Sequence, residues 1–267
     1  MRNLRNLIAS TAIAFALGAP VFAQDAPAVQ DIVNKASATA YYQGQDGKAK
    51  VKMEIKDEQG RTRSREFTIL RTDVGNVDNG DQKFYVLFDL PADVKGTAFM
   101  VWKHMEADDD RWLYLPALDL VKRIAASDER TSFVGSHFFY EDVSGRGPAE
   151  DTHELVEVTD DYYIVDSTPK NTGAVEFSKF RNYIHKESFI PVKTEYFDAQ
   201  GNIYRTYTAQ AVDVIEGHPT VTKSEMTDTN MGGSTTLTYE TVEYDVGLPD
   251  DVFSERYLRT PPRRYMR

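Results

Sequence analysis

The chain contains no cysteine, and that one absence excludes disulfide bonds, thiol nucleophiles, thiolate metal sites and the lipid-modified cysteine of a bacterial lipoprotein. Positive charge is the minority sign. Against 42 Asp and Glu stand 31 Lys and Arg, a formal charge of -11, which argues against bulk electrostatic binding to nucleic acid or to an anionic membrane. No apolar run approaches the roughly 20 residues that a bilayer-spanning helix needs. Catalytic signatures are missing too: there is no Gly-x-Ser-x-Gly elbow, no His-Glu-x-x-His pair, and no glycine-rich phosphate or dinucleotide loop. The five histidines, His104, His137, His153, His185 and His218, are scattered. His137 and Glu141 would meet only on a helix, as a packing pair or as two metal ligands, and packing is the simpler account. Asp108-Asp109-Asp110 and the stretch from Asp73 to Asp81 are acidic loops without the alternating oxygen ligands of a calcium loop. A working pair of carboxylates stays open among so many acids. With no nucleophile paired to a base, the expectation is a protein that is not an enzyme and needs no cofactor or metal.

What is present begins with an address. Arg2 and Arg5 precede an apolar stretch from Leu7 to Leu17, and Val21-Phe22-Ala23 forms a small-x-small site before Gln24. That pattern is a secretory signal peptide over residues 1–23, cleaved after Ala23, and it predicts a periplasmic protein. Residues 24–267 are then expected to form one domain, with the formal charge near -13 once two arginines are removed. The basic tail over residues 256–267 carries Arg256, Arg259, Arg263, Arg264 and Arg267 around Pro261-Pro262. It reads either as a solvated, frayed end or as a docking segment for an acidic or phosphate-bearing surface.

Ala28, Ile32, Val33 and Ala36 recur at helical spacing and predict one amphipathic helix. Beyond it the period changes to two. Val51, Met53 and Ile55 alternate with Lys50, Lys52, Glu54 and Lys56; Asp57-Glu58-Gln59-Gly60 makes a turn; Phe67 and Ile69 continue in a second strand. The pattern repeats over Lys83–Leu90, Thr97–Lys103, Arg111–Leu115, Leu118–Ile124, Glu154–Thr159, Asp161–Asp166, Val175–Tyr183, Val192–Phe197, Ile203–Val214, Thr220–Thr227 and Thr235–Tyr244, with turn clusters such as Gly232-Gly233 between them. Around a dozen consecutive strands imply a mainly β antiparallel meander. A sheet of that size must curl or be covered to protect its apolar face and edges, and curling encloses a hollow.

Large apolar side chains concentrate in the middle of the chain, including Phe99, Trp102, Trp112, Tyr114, Phe133, Phe138 and Phe139. They read as ordinary core or as the lining of a hollow, where broad, non-directional contact suits an apolar ligand. At these residues the sequence resembles the LolA-like outer-membrane lipoprotein-sorting proteins, especially the branch associated with RND-type transporters. The matching text is Lys95-Gly96-Thr97-Ala98-Phe99 with Trp102, Trp112-Leu113-Tyr114-Leu115-Pro116-Ala117-Leu118, Lys122-Arg123-Ile124, and Ser132-Phe133-Val134-Gly135-Ser136 leading to Tyr140-Glu141-Asp142. Later come Pro191-Val192-Lys193, Asp198 with Gly201, Phe253-Ser254 and Tyr257-Leu258. Val134, His137 and Phe139 depart from the family pattern and make their segment more apolar.

The resemblance implies an open, unclosed antiparallel β-barrel of about 11 strands, LolA/LolB-like, covered by helices and holding an apolar cavity for acyl chains. It implies a periplasmic carrier that moves lipids or lipoprotein acyl chains between membranes, with an RND-type inner-membrane transporter or an outer-membrane receptor as partner. On that reading the seven aromatic residues are lipid-binding, and Lys122 and Arg123 face head groups or a partner, or else pair with Glu141 and Asp142. Burial at about 0.8 kcal/mol per methylene makes capture easy and release difficult. A bistable cover is therefore expected, made by the N-terminal helix or the His137–Val143 loop. The alternative is a lipid-sensing envelope-stress regulator of similar barrel fold.

Overall fold

In the computed structural model, residues 26–75 and 79–266 are described. The signal segment therefore lies outside the described residues. A helix, α1 (Val29–Tyr41), leads into strands β1 (Asp46–Asp57), β2 (Thr62–Asp73), β3 (Gln82–Leu90), β4 (Ala98–Lys103), β5 (Asp110–Leu115) and β6 (Leu120–Ile124). After a short helix, α2 (Tyr140–Ser144), the chain returns to strands in β7 (Asp151–Val158), β8 (Tyr162–Pro169), β9 (Lys179–His185), β10 (Pro191–Phe197), β11 (Ile203–Ile215), β12 (His218–Asp228) and β13 (Gly233–Tyr244), and it ends in α3 (Arg256–Arg259). All thirteen strands join one antiparallel sheet in the order β6-β5-β4-β3-β2-β1-β13-β12-β11-β10-β9-β8-β7. The sheet thus has thirteen strands where about 11 are expected from the sequence.

One pairing decides the shape. β1 runs against β13 over its whole length, from Gly47 opposite Tyr244 to Asp57 opposite Gly233. Every other pairing joins consecutive strands, so the two free edges are β6 and β7, which are neighbours in sequence. The sheet stays open between them, and the connection over residues 125–150 spans that gap and turns inward. Gly233 permits the β1–β13 end: its φ is +107°, and a Cβ there would stand 2.1 Å from the Lys56 carbonyl oxygen.

The alternation read from sequence holds, with Val51, Met53 and Ile55 buried on the inner face of β1 while Glu54 and Lys56 are exposed. In β3 and β4 both faces are apolar. Phe84, Val86, Phe88, Phe99 and Val101 join the inner core, whereas Tyr85, Leu87, Ala98, Met100 and Trp112 join a second core with Val252, Phe253 and Leu258. A strand buried on both faces needs a second cover, and the C-terminal segment supplies it. Trp102 Nε1 donates to the Phe253 carbonyl (2.8 Å) and the Tyr85 hydroxyl to the Tyr257 carbonyl (2.7 Å). The tail is thus folded onto the sheet, with Leu258 and Pro262 buried and its described arginines exposed.

α1 runs five residues past the predicted end at Ala36. Its buried Ile32, Val33 and Ala36 pack with Val165 of β8 and Ile184 of β9, and the extension brings Tyr41 to the interior. The strand predicted from Leu118 begins instead at Leu120, because Pro116–Leu118 form a 3-10 turn closed by Asp119 at φ 45°.

Candidate functional site

Between the curled sheet and its covering segments lies a cavity of about 330 Å³. One wall is hydrocarbon, built from inward positions of β1 to β3 and β12 to β13, including Met53, Phe67, Phe84, Val86, Met226 and Leu237. The lining also holds phenols: Tyr41 from α1, Tyr196 from β10, Tyr207 from β11, and Tyr239 and Tyr244 from β13. Phe133, Phe138 and Val143 of the inward-turning connection lie against the cavity from the gap side.

Phe133 anchors that connection. Its ring centroid lies 5.4 Å from Phe99, 5.6 Å from Tyr140, 5.8 Å from Phe88 and 6.5 Å from Phe67. The turn that inserts it places Val134 at φ 50° and Gly135 at φ 77°. A β-branched residue in the left-handed region is strained, so the surrounding contacts must hold it. His137 does so: its backbone N–H donates to Thr235 Oγ1 (3.0 Å), and its ring reaches Thr235 Oγ1 (2.8 Å) and the Gly232 carbonyl (3.2 Å). A carbonyl only accepts, so Nε2 carries the proton and the Thr235 hydroxyl donates to Nδ1. His137 and Glu141 do not meet as a pair; Glu141 is taken by Arg130 and, at 3.0 Å, by Arg146. Among the described residues, no cluster of three or more His, Cys, Asp or Glu is placed to hold a metal ion.

Charge is buried behind the connection. Arg205 of β11 has no exposed surface; its guanidinium pairs with Asp142, donates to the His137 carbonyl at 3.0 Å, and lies 4.0 Å from the Phe139 ring centroid. Arg146 pairs with Asp151 at 2.9 Å. On the α1 side, Arg71 donates to the carbonyls of Tyr41 (2.7 Å), Gln43 (2.6 Å) and Gly44 (2.8 Å). Lys103, 3% exposed, donates to the Ser144 carbonyl at 3.0 Å and lies 5.6 Å from the Tyr41 ring centroid. Burial pushes the Lys103 ammonium down to about 8 against the pull of Asp109 and Glu150. Gly145 completes the junction, since at φ +75° a Cβ would stand 2.5 Å from the Tyr41 ring.

The residues singled out in the sequence fall into three places. Phe133 and Phe138 line the cavity, and Phe99 sits in the core behind Phe133. Phe139 is clamped between the guanidinium groups of Arg130 (5.1 Å) and Arg205 (4.0 Å). Trp102, Trp112 and Tyr114 belong to the opposite face, beneath the C-terminal segment. Lys122 and Arg123 are exposed on the edge strand β6. Arg123 pairs with Asp110 and lies 5.0 Å from the Trp112 ring centroid, which corrects the expected pairing with Glu141 and Asp142: those carboxylates are held inside by Arg130, Arg146 and Arg205. Sequence reasoning missed the lining tyrosines. Their only local trace is the inward alternation of Thr235, Leu237 and Tyr239 along β13.

A family model described as uncharacterized-protein-like matches residues 80–260. Three solved structures are similar along nearly their whole length. A DUF1329 family protein from Desulfovibrio piger is 29% identical, with 86% of this chain and 97% of that one covered and a TM-score of 0.78. A domain named for outer membrane lipoprotein sorting, from Vibrio parahaemolyticus, is 28% identical with 86% and 97% covered and a TM-score of 0.77. A LolA superfamily protein from Nitrosomonas europaea shares the fold at 21% identity, with 87% and 100% covered and a TM-score of 0.67. No curated protein matches the chain.

Proposed function

The chain belongs to the LolA-like, DUF1329 family, and from that premise we propose that it is a periplasmic, non-enzymatic carrier that takes up the acyl chain of a lipid or lipoprotein and moves it between membranes. The observation that carries this reading is the cavity of about 330 Å³, walled by hydrocarbon on one side and covered by a segment that enters through the open edge of the sheet. Residues 24–267 act as one unit in this role. Among the described residues no helix is long and apolar enough to cross a membrane.

The size of the cavity bears on how it works. Pockets that enclose a small organic ligand span roughly 300–1,000 Å³, so this one is at the low end and holds one short chain as it stands. Longer cargo requires the cover to move. The parts that move are the end of α1 and the Phe133–Ser144 segment, which Lys103 and Gly145 join at one point. Each methylene that enters contributes about 0.8 kcal/mol, and the ion pairs of Asp142 and Glu141 are what must be given up as the cover yields. An inner-membrane transporter of the RND type is the proposed partner for loading or release.

Native mass spectrometry of the protein, purified without detergent from the envelope, tests the proposal. Acyl-bearing cargo at a defined stoichiometry is the expected result. A clean apo protein that also fails to take up added lipid would refute it.

A further inference from the structure

The start of β2 carries the alternating run Arg61, Arg63, Arg65 and then Phe67. Side chains two apart on a strand share a face, and the unbroken β1–β2 register sets Arg65 opposite Met53 and Arg63 opposite Ile55. Met53 and Phe67 line the cavity, and Ile55 is buried in the same core. The inner hydrocarbon surface therefore runs at this end into a column of guanidinium groups. Arg61 is paired with Asp57 at 2.7 Å. Among the described residues, the guanidinium groups of Arg63 and Arg65 form neither an ion pair nor a hydrogen bond.

Arg63 is exposed, but Arg65 is only 9% exposed, and its Nε and Nη1 are shut off from solvent without an acceptor. A Cβ on Gly135 would stand 3.9 Å from Arg65 Nη2, so the guanidinium lies against the turn that inserts Phe133. Burial lowers this group from its ordinary value, Asp93 opposes the fall and Arg63 adds to it; a guanidinium nevertheless stays charged in a protein. A charge held under the cover with no counter-ion costs stability. Water can satisfy its N–H groups but brings no opposite charge. An oxyanion brings both, in the forked geometry that a guanidinium matches. The chain as a whole repels anions, at a formal charge of -11, so affinity for one has to come from a local site of this kind.

Resting on the carrier reading, we propose that Arg65, with Arg63 beside it, is an oxyanion site at the end of the cavity that takes a phosphate group, either free or as the head of an amphiphile whose chain lies against Met53 and Phe67. Because Nε and Nη1 are covered, the anion reaches them when the Val134–Gly135 turn shifts, and its binding favours the moved cover. Val134, at φ 50°, lies in that turn, and relief of its strain works in the same direction.

The test measures displacement of a fluorescent apolar reporter from the protein by dodecyl phosphate and by 1-dodecanol, two probes of equal chain length. The wild type is expected to prefer dodecyl phosphate by roughly tenfold or more, which corresponds to about 1.4 kcal/mol. Arg65→Met keeps an apolar stem and removes the charge; it should bind 1-dodecanol as the wild type does and lose the preference, while Arg65→Lys keeps part of it. Inorganic phosphate added as a competitor separates the two sources: displacement of dodecyl phosphate at comparable concentration assigns the site to free phosphate, and failure to displace it assigns the site to the head group. Equal affinity of the wild type for the two dodecyl probes, or a preference that survives Arg65→Met, overturns the proposal and leaves the carrier reading standing. A wild type that binds neither dodecyl probe refutes both. Should Arg65→Met not fold, Arg65→Gln carries the same comparison.

Discussion

Replacing Arg205 by Leu tests whether buried charge holds the cover in place. The wild-type guanidinium is fully buried, pairs with Asp142, donates to the His137 carbonyl at 3.0 Å and stacks 4.0 Å from Phe139. Three of its contacts, His137, Phe139 and Asp142, belong to the covering connection, while Arg205 itself belongs to β11. Leucine fills part of the volume but leaves the Asp142 carboxylate without its counter-ion, and breaking a buried pair from one side costs about 3–5 kcal/mol. The Phe139 N–H, which donates to Asp142 at 2.6 Å, offsets part of this. For a domain of this size each kcal/mol lowers Tm by about 2–4 °C, so a fall of roughly 6–20 °C is expected. Hydrogen exchange should show the loss concentrated in residues 129–146. A double variant, Arg205→Leu with Asp142→Leu, removes the orphaned charge and should be more stable than Arg205→Leu alone. The measurement is urea unfolding of the wild type, both single variants and the double. A single variant within about 1 kcal/mol of wild type, or a double variant whose loss equals the sum of the singles, would refute the reasoning.

Other consequences follow from the same geometry. Ala49 lines the cavity from β1, so Ala49→Trp should abolish uptake of a twelve-carbon probe while shifting Tm by only a few degrees; retained uptake would place the ligand elsewhere. Both tryptophans lie under the C-terminal segment on the opposite face, so ligand binding should leave the emission maximum of the protein unchanged, and a ligand-induced shift would contradict that placement. Burial, then the nearby Glu141 charge, raises Glu129 to about 7 from 4.5, against the pull of Arg111. The unfolded chain ionises near 4.5 and the native one near 7, so the contribution of the protonated group is complete below 4.5 and is lost as pH rises through 7. Glu129→Gln should therefore gain on the wild type between pH 5 and pH 7.5, by at most about 3 kcal/mol. Urea midpoints at the two pH values check this, and a constant offset between the proteins would contradict it.

Much of the architecture was legible before any coordinates. Period-two alternation marked strands with one wet face, such as β1, because a half-buried strand shows it whatever its neighbours are. Ile32, Val33 and Ala36 marked α1 by the same argument at the helical period. The site was less legible. β4 and β5 are apolar on both faces, so alternation separates Phe99 from Trp102 and Trp112 without saying which set faces the hollow. The C-terminal segment decided it by taking the tryptophan face.

The sequence by itself determined the export signal's pattern, the mainly β class, the helix, the strands and the need for a sheet of that size to curl or be covered. These are local properties, fixed by side-chain periodicity within a dozen residues. Tertiary structure alone decided that β1 pairs with β13 and leaves β6 and β7 as open edges. It alone brought tyrosines from α1, β10, β11 and β13 into the cavity lining, and set Arg205 against Asp142 across 63 residues of chain. Such contacts depend on which strands meet. That choice is made by the whole sheet as it curls to bury one face, and no short stretch of sequence encodes it.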